Sequence, residues 1–216
     1  GAEQFCYGVI DADNVKRRKF YEVQSFFRDM KKYEEAMEAP VKNEVAIVYD
    51  YDSLASFRIQ RQSILLDPAA EMQKFYKAFY DQNVGVDVIP EDREFFSYKV
   101  VILPQMIITK PEMEEKVEAF VKNGGTVIVT YRHAVKDADN NVPFGETLPV
   151  HYNALAGLNV EETESLQDYD AFPVVGSGVF EGVEGTGGIF RDMIQVQDAE
   201  VLFHYADAFY PLFCVG

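Results

Sequence analysis

Hydrophobic positions between Lys99 and Arg132 follow a strand, helix, strand rhythm. Val100 to Leu103 is an unbroken apolar run rich in β-branched residues, as expected of a strand covered on both faces. Thr109 to Glu112 has the spacing of a capping box, with Pro111 in the first turn. Met113, Val117, Phe120 and Val121 follow at i, i+4, i+7 and i+8, one stripe of an α-helix. Gly124 and Gly125 then end the helix, and Thr126 to Thr130 reads as a second strand. Two parallel strands joined by a helix form a right-handed βαβ unit, which predicts an α/β domain around a mostly parallel sheet.

The same reading extends upstream. Val45 to Tyr49 is a first strand, and Tyr51 to Asp67 reads as a long connection. Asp67 caps a helix with Pro68 at its first position and Met72, Phe75, Tyr76, Phe79 and Tyr80 on its inner stripe. Asn83 ends that helix, and Val84 to Ile89 is a strand stopped by Pro90. The crossover Glu91 to Tyr98 is expected to be helical in part, giving the order β, α, β, β, α, β over residues 45–130. Residues 1–13 read as a strand end and a loop. Val15 to Met37 is an amphipathic helix with Phe20, Val23, Phe26, Phe27, Met30, Tyr33 and Met37 on one face and a basic opposite face. Residues 38–44 form a linker. Past Arg132, residues 136–147 are polar and turn-rich, and Val150 to Leu158 suggests a short helix ended by Gly157. The stretch from Asn159 to Gly216 is acidic and glycine-rich, with Phe172 to Val175 and Glu200 to His204 reading as strands.

Composition narrows the function classes. With 48% hydrophobic and 14% aromatic residues among 216, the chain can build a core. The net charge of −16 speaks against nucleic acid and anionic membranes, both of which need a basic footprint. Residues 1–35 carry seven Lys/Arg and seven Asp/Glu, so the remaining 13 basic against 29 acidic residues hold the whole excess. That shift places the first segment in a different structural environment. Cys6 and Cys214 stand at opposite ends, which fits a reducing, cytoplasmic compartment better than a disulfide framework. No apolar run approaches the ~20 residues of a membrane span.

The chemistry on offer is sparse. In an amidotransferase-like fold a nucleophilic Cys would follow a strand such as 126–130, and here Tyr131 and Arg132 occupy that turn. The loop after Tyr49 has no glycine to cradle a phosphate, and Gly185 to Gly188 read as turns. Asp50 and Asp52 resemble the acidic pocket of response-regulator receivers, but Leu103-Pro104-Gln105 stands where a receiver carries its phosphorylated Asp. His133, His151 and His204 lack mutual ligand spacing, so no metal and no cofactor are expected. Asn43-Glu44, which looks like the Asn-Glu pair of many glycosidases, precedes a strand instead of ending one and reads as coincidence.

Four stretches together carry a resemblance: EVAIVYDYDS, FYKAFYDQNVGVDVI, YKVVILPQMIITKPEMEEKVEAFVKNGGTVIVTYRHAVKDADNNV and AEVLFHYAD. They are similar to the trimerisation domain of family 42 β-galactosidases, and residues 1–35 resemble the end of the catalytic (β/α)8 barrel in that family. The resemblance implies a flavodoxin-like, class I glutamine amidotransferase-like three-layer sandwich over 41–216, preceded by the last barrel strand end and helix over 1–40. It implies self-association as a homotrimer in a parent retaining glycoside hydrolase acting on terminal β-D-galactosides. The two catalytic glutamates would sit on earlier barrel strands, so no residue of this chain is assigned a catalytic role. Glu3 matches the Glu of the family's GAE-like segment, which helps bind galactose hydroxyls. Cys6 stands where the family has a His, and Leu54-Ala55 replace an aromatic pair. The alternative is a stand-alone amidotransferase-like domain that binds a small ligand without a nucleophile.

Overall fold

The structure, a computed structural model, describes residues 8–167 and 170–206 and the backbone of 214–215. The chain divides into two compact units, Gly1–Lys42 and Asn43–Gly216. In the first, α1 (Arg18–Met30) passes through a 3-10 turn (Lys31–Tyr33) into α2 (Glu34–Met37). The helix starts three residues later than the apolar pattern suggests. Arg17 at its N-cap has no acceptor to offer the first turn, and its guanidinium is held by Asp11 and Asp13 in the preceding loop. No residue of α1 is buried.

The second unit begins with a four-stranded, wholly parallel sheet in the order β2-β1-β3-β4. Its strands are β1 (Val45–Tyr49), β2 (Val86–Pro90), β3 (Val100–Leu103) and β4 (Thr126–Val129). Alternation along β1 and β3 sends side chains to opposite faces. Ala46, Val48, Val101 and Leu103 pack with Met113, Val117 and Phe120 of α5 (Pro111–Lys122). Val45, Ile47 and Ile102 pack with Met72, Phe75 and Phe79 of α4 (Pro68–Tyr80). Helices therefore cover both faces, which is why these strands read as continuous apolar runs.

Three local expectations are corrected. Residues 51–59, read as connection, form α3 (Tyr51–Ile59), capped by the Asp50 carboxylate, which accepts from the Asp52 and Ser53 backbone N–H groups. Its inner face is Ser53, Ser56 and Phe57, helical in spacing but mostly polar, so hydropathy hid it. The N-cap of α5 is Lys110, not Thr109. Thr109 is tied elsewhere: its N–H donates to the Lys136 carbonyl at 2.7 Å, and its hydroxyl donates to Glu114. Residues 91–98 contain turns and no helix; Phe95 anchors them, wholly buried and edge-on to Phe120.

A second sheet follows, of which the sequence pattern disclosed two strands, near 172–175 and 200–204, but not the pairing. After the short α6 (Tyr152–Ala156), closed by Gly157 at φ 67°, come β5 (Leu158–Ser165), β6 (Phe172–Gly176), β7 (Glu184–Gly187), β8 (Phe190–Val196), β9 (Phe203–Tyr205) and β10 (Cys214–Val215). They form an antiparallel sheet in the order β5-β8-β10-β9-β6-β7. Phe172 lies against the place where Gly187 would carry a side chain, since an added Cβ would fall 2.1 Å from its ring. Phe190 joins the two sheets through a cluster with Phe57, Leu66, Ile107, Ile108 and Val135. Among the described residues no helix is long and apolar enough to cross a membrane.

Candidate functional site

Side chains with chemical potential collect at the carboxyl edge of the parallel sheet, where α/β sheets place their ligand crevices. Two groups stand there. The first is built on Asp50 at the end of β1, 4% exposed. Its carboxylate caps α3, accepts from the Ser53 hydroxyl and meets Lys110 Nζ at 2.9 Å. Lys110 also bonds Glu91 and lies 2.7 Å from Asp52. Burial pushes the Asp50 carboxyl up, but hydrogen bonds involving Glu91, Ser53 and Lys110 outweigh it and hold the group below the usual carboxylate range. Glu91 moves the other way, raised first by burial and then by Asp50 beside it. The three carboxylates lie close enough to share a cation. Lys110, its pKa raised against the cost of its own burial, already supplies that charge from within the chain. The arrangement is a charged staple between β1, α5 and the loop after β2.

The second group surrounds a cavity of about 510 Å³ beyond β4, between the parallel sheet edge and the antiparallel sheet. That volume lies within the range of small-molecule sites. The parallel sheet and α4 supply its polar side: Gln105 after β3, Tyr131, Arg132 and His133 after β4, and the ion-paired Glu71 and Lys74 of α4. The antiparallel sheet supplies an apolar wall, including Val160, Phe172, Val174, Phe190 and Ile194. One carboxylate interrupts that wall. A bulge in β5 between Val160 and Glu162 shifts its facing, so that Thr163 lies opposite Asp192 and donates to it at 2.6 Å. The Arg132 backbone N–H donates to the other Asp192 oxygen at 3.3 Å.

The polar side is under-satisfied. Gln105 Nε2, Arg132 Nε and both ring nitrogens of His133 are buried without a hydrogen-bond partner among the described residues, whereas the buried Tyr131 hydroxyl has the Glu71 carboxylate near it. Buried polar atoms left this way each cost about 1–3 kcal/mol. Burial lowers the pKa of His133 to about 3, so its ring is neutral, set edge-on to Tyr152 with centroids 4.4 Å apart. Burial also lowers Arg132 and raises Asp192 and Tyr131. The backbone here is unusual as well. Gln105, Arg132 and Ala134 all adopt positive φ, at 46°, 57° and 48°. For residues with a Cβ such conformations cost on the order of 1–3 kcal/mol each and gather at functional sites.

The expected residues fare unevenly. Tyr131 and Arg132 occupy the strained turn after β4, as the sequence places them. His133, read only as a lone histidine, proves to be buried beside them, while His151 and His204 do not line the cavity. Gln105, Thr163 and Asp192 were missed. The available signal for Gln105 was a polar residue directly after a buried strand; for Thr163 and Asp192 it was erased by the bulge. Glu3 and Cys6 lie outside the described residues.

A family model described as the β-galactosidase trimerisation domain matches residues 43–212. The chain belongs to the β-galactosidase trimerisation domain family. Among curated relatives, β-galactosidase BgaA of Clostridium cellulovorans is 33% identical, over 97% of this chain and 31% of its own length. β-Galactosidase Pbg of Clostridium perfringens is 32% identical, with the same 97% and 31% coverage. A solved β-galactosidase from Bacillus circulans sp. alkalophilus superposes with a TM-score of 0.81 at 29% identity, over 96% of this chain and 31% of that one. The chain thus spans about a third of the length of the relatives it matches.

Proposed function

We propose that this trimerisation-family domain serves a longer β-galactosidase as its self-association module and is itself non-catalytic. The observation that carries the reading is the family match over 43–212, joined to relatives named β-galactosidases of which the chain accounts for 31%. In this reading residues 1–40 are the last strand end and helix of a (β/α)8 barrel, and 41–216 are the trimerisation domain. The β2-β1-β3-β4 order, with helices on both faces, supports a flavodoxin-like or amidotransferase-like three-layer sandwich. Tyr131 and Arg132 at the strained turn where an amidotransferase needs its Cys speak against the stand-alone alternative.

The partners are further copies of the same protein, and the substrate of the whole enzyme is a terminal β-D-galactoside in the cytoplasm. Retaining hydrolysis needs two carboxyl groups ~5–5.5 Å apart across the glycosidic bond, here supplied by barrel segments upstream. Glu3 would contribute a hydrogen bond to galactose from the end of that barrel. The test is kinetic. The purified 216-residue chain is expected to leave a chromogenic β-galactoside intact. Specific turnover that disappears when one carboxylate of this chain is neutralised would overturn the reading.

A further inference from the structure

In the reading above the cavity beyond β4 has no role, yet its lining leaves buried polar atoms unsatisfied. Its orphaned atoms are not a random sample. Gln105 Nε2 and Arg132 Nε are donors only, and neutral His133 has one donating nitrogen. Among the described residues three donor groups therefore lack an acceptor, while one orphan, the other His133 nitrogen, must accept. Gln105 and His133 are 3% and 5% exposed, so bulk water does not serve them freely. Among the described residues Arg132 makes no direct ion pair, although the Asp192 charge reaches its guanidinium. Lys136, 4% exposed and behind the cavity lining, feels the Arg132 charge and is bonded, among the described residues, by the neutral oxygens of Ser56, Gln60 and Asn140. A donor-rich end facing an apolar wall calls for an acceptor-rich head on a hydrophobic body.

We propose that this cavity binds a small organic carboxylate, its anionic head on Arg132, Gln105 and His133 and its apolar body against Phe172, Val174 and Ile194. The guanidinium fork matches a carboxylate, and such charge-assisted bonds are the strong ones in a buried setting. Asp192 stands close by with its own charge, which favours a monoanion over a phosphate dianion. A neutral sugar would fit less well, because each hydroxyl brings a donor of its own into a site already short of acceptors. The three positive φ angles at Gln105, Arg132 and Ala134 hold these donors at one edge, a pre-organisation that binding would repay.

The experiment uses the 216-residue chain and four probes: benzoate, phenyl phosphate, benzamide and galactose. Titration calorimetry is expected to give saturable one-to-one binding of benzoate, with phenyl phosphate weaker and benzamide and galactose at least about tenfold weaker. Arg132→Gln should weaken benzoate about tenfold or more, while its ligand-free melting temperature changes little, since the half-buried guanidinium makes no direct ion pair among the described residues. Asp192→Asn should bind benzoate at least as tightly as the parent. Thr186→Trp, at an exposed position on the cavity lining, should obstruct binding with little effect on folding. The proposal fails if no probe saturates up to about 10 mM, or if benzamide, galactose or phenyl phosphate equals benzoate. It also fails if Thr186→Trp leaves affinity unchanged, or if Arg132→Gln binds normally. A clear fall in the ligand-free melting temperature of Arg132→Gln would make Arg132 a structural partner of Asp192 and overturn it too.

Discussion

Asp50 illustrates how one buried carboxylate can cap a helix and staple three elements. Replacing it by Asn keeps the shape but removes the charge that Lys110 meets at 2.9 Å, and an amide holds the cap less well. Breaking a buried ion pair on one side costs about 3–5 kcal/mol, discounted here because Lys110 retains Asp52 and Glu91. Asp50→Asn is therefore expected to lose about 2–3 kcal/mol in denaturant unfolding; a loss below about 1 kcal/mol would mean that the staple is slack. His133 makes a separate, pH-dependent contribution. Its folded pKa of about 3 lies below the ~6.5 of an unfolded histidine, so the unfolded state takes up the proton first. Its contribution is present above pH ~6.5 and drains away toward pH 3, at about 1.4 kcal/mol per pH unit. Asp192, raised by burial, works with the opposite sign where it titrates. Between pH 6.5 and 5 the parent should lose about 2 kcal/mol, and His133→Phe should lose much less. Equal slopes in the two proteins would show that His133 is protonated in the folded state. At this scale the sequence disclosed Tyr131 and Arg132, because they follow directly on an unmistakable strand. It could not disclose burial, which is what turns His133 from an ordinary imidazole into a neutral one.

Elements were legible where one side of the chain meets one partner. β1, β3 and β4 are covered on both faces by α4 and α5, so their apolar runs survive any choice of window. The end of α5 was legible too, and it has the hydrogen bonds of a Schellman motif: Gly124 N–H to the Val121 carbonyl at 2.9 Å and Gly125 N–H to the Phe120 carbonyl at 3.0 Å. The two glycines serve different ends. Gly124 has φ 89° and open space around it, so Gly124→Ala meets only backbone strain, about 1–2 kcal/mol. Gly125 faces the Phe120 ring, where a new Cβ would fall 2.3 Å away, and that ring is 2% exposed and cannot swing out. Gly125→Ala should cost the larger amount, about 2–3 kcal/mol through overpacking. Urea unfolding of both variants checks the order, and a reversed order would mean that the ring yields more readily than the backbone. α3 was not legible for the complementary reason. Ser53 and Ser56 face inward with their hydroxyls bonded, so helical periodicity exists without hydropathy to reveal it.

For the whole molecule, the division after Lys42 lies seven residues past the charge shift at residue 35, while the pairing of the antiparallel sheet escaped the sequence although two of its strands did not. That sheet depends on pairings such as β5 with β8, some thirty residues apart, and its strands bury few residues each, so no short window carries the signal. The first unit poses the last question. α1 and α2 have no buried residue, and Phe26, Phe27 and Met37 are 58%, 65% and 62% exposed. Burying one such side chain is worth about 1.5–3 kcal/mol, more than a helix of this length recovers from propensity. A contiguous apolar stripe of this kind seeks cover. On the reading proposed above, a barrel would supply it in a longer enzyme; in the 216-residue chain the nearest equal is the same stripe on another copy. Sedimentation velocity should therefore show concentration-dependent association of the full chain, reduced in a version beginning at Asn43. Association that persists unchanged in the shorter version would locate it in the second unit, where the trimerisation family places it, and would remove the helix from the account. Equal monomers, with amides of 18–30 protected from hydrogen exchange, would mean that the stripe has found its cover within one chain.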